Sequence, residues 1–276
     1  MKVARYSKYL QNKRLKGKIY DENGNIIYEL NKYNDIVKEY NDKGILIFEG
    51  KYLNGLRNGK GKEYNDKGKL IFEGEYLNGK RNGKGKEYNE DGKLEFEGEY
   101  INGKRNGKGK NYSNGKLKFE GKYLNGKRNG KGKEYNYNGD LKFEGEYKNG
   151  ERNGKFRHYY ITGEIEYEGN YLNGKIDGEL INYNKYGNIN FKSNYLNGER
   201  NGYSIEYYTD IEIKFEGEYL NGERNGKGKE YYNNGELIFE GEYLNGKRWN
   251  GKGEEYYDNG KLKFKGEYLN GKRCEI

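Results

Sequence analysis

The sequence predicts an all-β protein, an elongated single-layer antiparallel sheet built from tandem β-hairpin repeats of about 24 residues. One aromatic position recurs at this nearly constant step, and a fixed period of this size is typical of a repeat array. Insertions and deletions fall in glycine-bounded segments, which indicates turns: one residue is missing between Tyr112 and Gly115, and Trp249 is added before Gly251. The recurring aromatic residues are Phe48, Phe72, Phe96, Phe119, Phe143, Tyr167, Phe191, Phe215, Phe239 and Phe264.

Each segment of one repeat predicts an element. Period-two alternation over residues 70–77 predicts a strand. The two Asn-Gly pairs in residues 78–83 predict a loop, because both residue types tolerate positive φ. Residues 84–88 are then the returning strand, and Asp91-Gly92 predicts a tight hairpin turn into the next copy.

The register of the hairpin follows from charge and ring placement. In one of two possible registers, opposite charges pair on one face of the sheet and aromatic rings lie over bare glycine on the other face. A shift by one residue would place charged side chains among the rings. The predicted pairs on the ring side are Phe72–Glu87, Gly74–Gly85 and Tyr76–Gly83. The predicted charge pairs are Glu73–Lys86 and Glu75–Lys84.

The spacing F-x-G-x-Y-x-x-G-x-x-x-G-x-G-x-x-Y resembles the MORN repeat (membrane occupation and recognition nexus). It is more similar to the MORN variant of bacterial YwqK-type antitoxin-like arrays, which carry Y-x-N-G-K-L-x-x-E-G-x-Y-x-N-G. The resemblance covers about residues 40–276 and implies an elongated antiparallel sheet that acts as a scaffold or interaction platform. Tyrosine stands where the first MORN type usually has tryptophan.

The domain prediction separates a cap from the array. Residues 1–39 are expected to form an N-terminal cap with a degenerate repeat, because residues 20–28 match residues 64–72 but lack the following loop. Residues 40–276 are expected to form the array of about ten copies, divergent at 151–215. The net charge of +9 and few aliphatic residues would suggest disorder, but 33 tyrosines at fixed phase supply the burial.

The sequence offers little chemistry. Its only histidine, His158, and its only cysteine, Cys274, are far apart, so no nucleophile–base pair and no metal cluster is expected. We therefore predict no enzyme, no catalytic, metal or cofactor site, and no cofactor. One cysteine, no apolar run of membrane-spanning length and no secretory signal favour an intracellular, cytoplasmic protein, with peripheral membrane contact as an alternative.

The divergent segment is a candidate partner-binding patch. Larger side chains replace glycine there. The simpler interpretation is sequence drift in strands that still pair. The alternative is a specialised docking site, which would include the inserted indole, since tryptophan is frequent at binding hot spots. The candidate residues are Phe156, His158, Ile176, Leu180, Ser193, Ser204 and Trp249.

An arginine recurs at one place in the predicted loop. Adjacent hairpins lie about 9.5 Å apart, so these arginines would line one edge and meet anionic lipid headgroups. The alternative is that they keep the sheet soluble, and 44 acidic against 53 basic residues favour it. Nucleic acid is disfavoured, because the rings are expected to cover glycines and not to stack on bases. The arginines are Arg57, Arg81, Arg105, Arg128, Arg152, Arg200, Arg224, Arg248 and Arg273.

Three functions remain open from the sequence. The first is a non-enzymatic repeat scaffold that binds an unknown protein partner, or forms a homodimer, through an exposed aromatic sheet face. The second is peripheral binding to anionic membrane through the arginine edge. The third, antitoxin-like neutralisation of a partner, is implied by the resemblance alone.

Overall fold

The computed structural model describes residues 5–11, 14–31, 36–209 and 211–275, so the predicted cap lies partly outside the described residues. The described residues form β-strands and turns without any helix, which confirms the all-β prediction. The chain divides into two compact units, residues 1–139 and 140–276.

In the first unit each strand pairs antiparallel with the next along the chain. The strands are β1 (Arg5–Gln11), β2 (Arg14–Tyr20), β3 (Ile26–Asn31), β4 (Ile36–Tyr40), β5 (Leu46–Leu53), β6 (Leu56–Tyr64), β7 (Leu70–Leu77), β8 (Lys80–Tyr88), β9 (Leu94–Ile101), β10 (Lys104–Ser113), β11 (Lys116–Leu124) and β12 (Lys127–Tyr135).

The second unit has the same antiparallel order, except that β16 and β17 both pair with β15. Its strands are β13 (Leu141–Lys148), β14 (Glu151–Tyr159), β15 (Ile165–Leu172), β16 (Lys175–Ile176), β17 (Gly178–Tyr183), β18 (Ile189–Leu196), β19 (Glu199–Tyr207), β20 (Ile213–Leu220), β21 (Glu223–Tyr231), β22 (Leu237–Leu244), β23 (Lys247–Tyr256), β24 (Leu262–Leu269) and β25 (Lys272–Glu275).

The connection between β7 and β8 is a two-residue turn. Asn78 and Gly79 both have positive φ, 49° and 81°, as in the type I′ turn that matches the twist of paired strands. The predicted loop over 78–83 is therefore wrong, and the returning strand begins at Lys80. The next connection is the predicted turn at Asp91-Gly92, where the Asn89 side chain accepts backbone N–H bonds from residues 91 and 93.

A β-bulge at the second Asn-Gly pair resets the register. Gly83 has a φ of 87°, and the pairing shifts between Gly74 and Tyr76. Two predicted pairs are wrong because of this bulge: Tyr76 lies opposite Arg81, and Glu75 lies opposite Lys60 of β6. The predicted pairs Phe72–Glu87, Glu73–Lys86 and Gly74–Gly85 are confirmed.

Aromatic rings lie against glycine backbone, as predicted. Phe72 is fully buried, and a Cβ atom added at Gly74 would come within 2.7 Å of the Phe72 Cζ atom. The Phe72 ring also meets Tyr76 and Tyr100 edge to face, at centroid distances of 5.7 and 5.3 Å. The same contacts repeat from copy to copy inside each unit, so the core of each unit is a row of rings on one face, here called the ring face.

Candidate functional site

The recurring arginines cover the ring face. Arg81 lies in strand β8 and not in a loop, because the turn is only two residues long, and its guanidinium carbon sits 4.1 Å from the centroid of Phe72. The other pairs are Arg57–Phe48, Arg105–Phe96, Arg128–Phe119, Arg152–Phe143, Arg200–Phe191, Arg224–Phe215, Arg248–Phe239 and Arg273–Phe264. In repeats that keep both glycines, such as that of Phe72, the phenylalanine thus lies between a cation and the glycine backbone.

The guanidinium groups are also tied to glutamates. Arg81 lies 2.5 Å from the Glu63 carboxylate and 3.1 Å from that of Glu87, and the Tyr76 hydroxyl donates to Glu63 at 2.7 Å. Burial would raise the pKa of Glu63, but the hydrogen bonds from Arg81 and Tyr76 outweigh it and hold the pKa below the usual value. In the second unit Arg224 bridges Glu206 and Glu230 in the same way.

The ring face is therefore closed in regular repeats such as that of Phe72. Phe72 and Tyr76 are 0 % and 3 % exposed, so the prediction that part of the aromatic face stays exposed is wrong there, whereas Tyr167 and Phe191 of the divergent segment are half-buried. The physical reason is the arginine cover, which the sequence prediction had placed in a loop. Contact of these arginines with anionic lipid stays a prediction, and such contact would compete with the ion pairs to glutamate.

Four residues of the predicted partner patch are buried in the second unit. Phe156, Leu180, Ser193 and Ser204 take glycine positions on the ring face and are all buried. Phe156 packs among neighbouring rings, and the two serine hydroxyls hydrogen-bond to each other at 2.6 Å. A partner cannot contact these four side chains unless the neighbouring side chains that cover them move, and docking on this segment stays a prediction.

The other three patch residues are half-buried and are not gathered into one surface. His158 stacks on Tyr167 with a centroid distance of 4.6 Å, and its Nδ1 lies 2.8 Å from Glu166. Burial lowers the pKa of His158, and Glu166 opposes this only in part. Ile176 lies in β16. Trp249 lies in β23, not in a loop, and a Cβ atom added at Gly271 would come within 3.4 Å of its ring.

The opposite face of the first unit carries a groove of about 1100 Å³. Its floor is main chain, formed by the glycines that hold the rings on the other side. Two rows of charged side chains form its walls. The central row contains Glu49, Lys62, Glu73, Lys86, Glu97, Lys110, Glu120 and Lys133. The Asn-Gly-side row, nearer the type I′ turns, contains Lys51, Lys60, Glu75, Lys84, Glu99, Lys108, Lys122 and Lys131.

The two rows differ electrostatically. The central row alternates glutamate and lysine, and tyrosine hydroxyls donate to its glutamates, as Tyr88 does to Glu73 at 2.7 Å and Tyr112 to Glu97 at 2.6 Å. The Asn-Gly-side row contains six lysines and only two glutamates. The sequence prediction treated this face as a solvated lattice of charge pairs and missed the groove. The available signal was the lysine on each side of the glycine in the repeated K-G-K motif, as in Lys84-Gly85-Lys86.

A row of exposed aliphatic side chains borders the type I′ turns of the first unit. Each residue directly precedes an Asn-Gly pair and is about half exposed, so these side chains add apolar surface beside the groove. The residues are Leu53, Leu77, Ile101 and Leu124.

The described residues offer no other chemical site. No group of three or more His, Cys, Asp or Glu side chains among them is arranged to hold a metal ion. The part of the chain that the structure describes contains no helix long and apolar enough to cross a bilayer.

Comparison with known families identifies the repeat. The profile of the MORN repeat matches residues 48–69, 72–93, 96–116, 119–141, 143–155 and 215–236. The profile of the MORN repeat variant matches residues 15–35, 152–173 and 249–270. No curated protein matches the chain.

Comparison with solved structures gives only distant similarities. Alternansucrase in complex with isomaltononaose is 16 % identical over 94 % of this chain, with a TM-score of 0.20. The Tc holotoxin pore of Photorhabdus luminescens is 11 % identical over 96 %, and the TcdB2-TccC3-Cdc42 structure has the same values, both with a TM-score of 0.19. This chain spans 18 %, 17 % and 15 % of those chains, and similarity at this level supports no inference about its function.

Proposed function

Because the chain belongs to the MORN repeat family, a family that is generally non-enzymatic, we propose that it is a non-enzymatic scaffold binding an extended segment of a protein partner in the groove of the first unit. The observation that supports this proposal is the difference between the two faces of the sheet in the first unit. The ring face is closed by arginine, whereas the groove runs over glycine main chain between two charged walls, and its glycines are buried or half-buried. A glycine floor lets another chain approach the backbone closely.

The dimensions of the groove fit a single extended chain. Its glycine floor runs from Gly50 on β5 to Gly132 on β12, seven strand spacings of about 4.8 Å, or roughly 34 Å. Its two walls stand two residues apart along each strand, about 6.8 Å. An α-helix with side chains is about 10–12 Å across and is too wide to reach the floor.

The other hypotheses have weaker support. Self-association through the aromatic face would require the arginines to leave their rings. Membrane attachment through the same arginines would require them to leave glutamates such as Glu63 and Glu87. Antitoxin-like neutralisation rests on family resemblance and has no contact in the molecule that favours it.

Site-specific photocrosslinking tests the proposal. In a Cys274→Ser background, a benzophenone maleimide is attached to Lys84→Cys on the groove wall or, as the matched control, to Lys67→Cys at an exposed turn. Irradiation in an extract of the cells that express the protein should give a discrete adduct from position 84, absent from position 67 and competed by unlabelled chain. No adduct at position 84, or the same adduct at both positions, would contradict the proposal.

A further inference from the structure

The lysines on one wall of the groove are exposed and are not held in ion pairs. Lys60, Lys84, Lys108 and Lys131 of the Asn-Gly-side row are exposed, and within the described part of the chain none of them forms an ion pair. A row with six lysines and only two glutamates carries a net positive charge, and its potential attracts an acidic ligand. This wall, and not the neutral central row, therefore selects the charge of the occupant.

The two glutamates of this wall do not neutralise it. Glu75 lies against the bulge glycine of β8, where any side chain on Gly83 would collide with its carboxylate, and Glu99 lies against Gly107 in the same way. The corresponding Glu218 of the second unit accepts a backbone N–H bond from Lys227 at 3.0 Å. The bulge thus draws these carboxylates toward the main chain.

The spacing of the lysines gives a length scale. The four lysines lie on β6, β8, β10 and β12, so neighbours among these four are two strand spacings apart, about 9.6 Å. Lys51 on β5 and Lys122 on β11 add two further cations to the same row. A polyproline II chain has three residues per turn and rises about 3.1 Å per residue, so every third side chain returns to the same side after about 9.3 Å. A fully extended β-strand instead repeats every two residues, about 6.8 Å, which does not match the lysine spacing.

We infer that the groove binds an acidic polypeptide segment in the polyproline II conformation, with Asp or Glu at every third residue facing the four lysines. This inference rests on the proposed scaffold function and names the chemistry of its partner. Three intervals of about 9.6 Å require a segment of roughly ten residues. Single-stranded nucleic acid is the competing occupant, but the Phe rings are buried on the other face, and tyrosines on the groove side such as Tyr88 are half-buried, with hydroxyls bonded to the central-row glutamates.

The test compares two fluorescein-labelled peptides of equal composition and charge. One is (Glu-Pro-Pro)4, with acid at every third position, and the other is (Glu-Glu-Pro-Pro-Pro-Pro)2, with paired acids. Binding to the full chain is measured by fluorescence anisotropy at low and physiological salt, with oligodeoxythymidine of matched charge as a third probe. We expect the first peptide to bind several-fold more tightly than the second and more tightly than the oligonucleotide.

Two charge-reversal variants locate the binding. The groove variant combines Lys60→Glu, Lys84→Glu, Lys108→Glu and Lys131→Glu, and its loss of four charge contacts should weaken binding about tenfold or more. The control variant combines Lys43→Glu, Lys67→Glu, Lys69→Glu and Lys93→Glu, which changes the net charge equally at exposed turns. It should bind within about twofold of wild type once salt screens the long-range attraction. Far-UV circular dichroism and gel filtration check that both variants fold.

Several results would overturn the inference. Equal affinity for the two peptides would reject the three-residue spacing. Equal loss of affinity in both variants would show that binding depends only on general electrostatic attraction. Tighter binding of the oligonucleotide, lost in the groove variant, assigns the groove to nucleic acid. A crosslink from position 84 together with failure of both peptides leaves the scaffold proposal standing and rejects the acidic segment, whereas absence of the crosslink rejects the scaffold proposal itself.

Discussion

Replacing Gly85 by alanine tests whether the rings require bare backbone. A Cβ atom at this position would come within 3.2 Å of the Tyr100 ring and closer still to the Phe72 ring. Phe72 cannot rise to make room, because the Arg81 guanidinium covers it at 4.1 Å. Overpacking of this kind costs about 1–3 kcal/mol, and the lower entropy of the unfolded alanine chain offsets about 0.4–1 kcal/mol. We expect a net loss of about 1–2 kcal/mol.

Hydrogen exchange over β7, β8 and β9 measures this loss as a local free energy of opening, which suits a repeat array that need not unfold in one step. A double-mutant cycle then assigns the cause. Leucine in place of Phe72 lacks the ring atoms that the new methyl group would meet. The double variant Gly85→Ala with Phe72→Leu should therefore be less destabilised than the sum of the two single changes.

Gly92 offers the matched control for this cycle. Its φ is 76° and no atom lies within 4 Å of an added Cβ atom, so alanine there costs only backbone strain, about 1–2 kcal/mol. That cost should add to the cost of Phe72→Leu without coupling. If Gly85→Ala stabilises β7 and β8, or couples to Phe72→Leu no more than Gly92→Ala does, the claim that rings exclude side chains from the glycine positions is refuted.

Two further predictions concern the arginine cover. Arg81→Lys keeps the charge but loses the planar contact with Phe72 and the second carboxylate, so opening of β7 and β8 should become easier by about 1–2 kcal/mol, whereas Lys80→Ala at the exposed neighbour should change it by under about 0.5 kcal/mol. Because the pKa of Glu63 lies below its usual value of 4.5 in the folded chain, its stabilisation is complete above pH 4.5 and is lost as the pH falls through the lowered pKa. When urea unfolding is measured from pH 7 to pH 3, the midpoint should fall below pH 4.5, and it should fall less steeply in the Glu63→Gln variant. An equal fall in both proteins would contradict this assignment.

The sequence was sufficient to predict the core, because the rings pack at positions where glycine has no side chain. Phe72 and Gly74 have the same parity, and glycine recurs opposite glycine, so only one face can accept a ring. Period-two alternation then places Glu73 and Lys86 on the other face. These relations need only the direction of side chains along a strand, which residue type and position determine.

The turn and the bulge could not be predicted in the same way, because both begin as Asn-Gly. Asn78 adopts positive φ with its glycine and makes a type I′ turn, whereas at the second pair only Gly83 has positive φ. The difference depends on pairing with the neighbouring strand and not on local residue type. An error of this size in the register moved Arg81 into a loop, so its contact with Phe72, and with it the closure of the ring face, was missed.

Because the core lies on the ring face, the Asn-Gly-side row of the other face does not form part of the core. The second unit shows that this row can change: Asn170, Asn194 and Tyr203 stand at positions equivalent to the Asn-Gly-side row, while Tyr167 and Phe191 keep the ring positions. The strands still pair there, so substitutions on the charged face leave the fold intact. A surface that can change without loss of the fold is free to acquire binding specificity, and in the first unit we assign that specificity to the lysines of the Asn-Gly-side row.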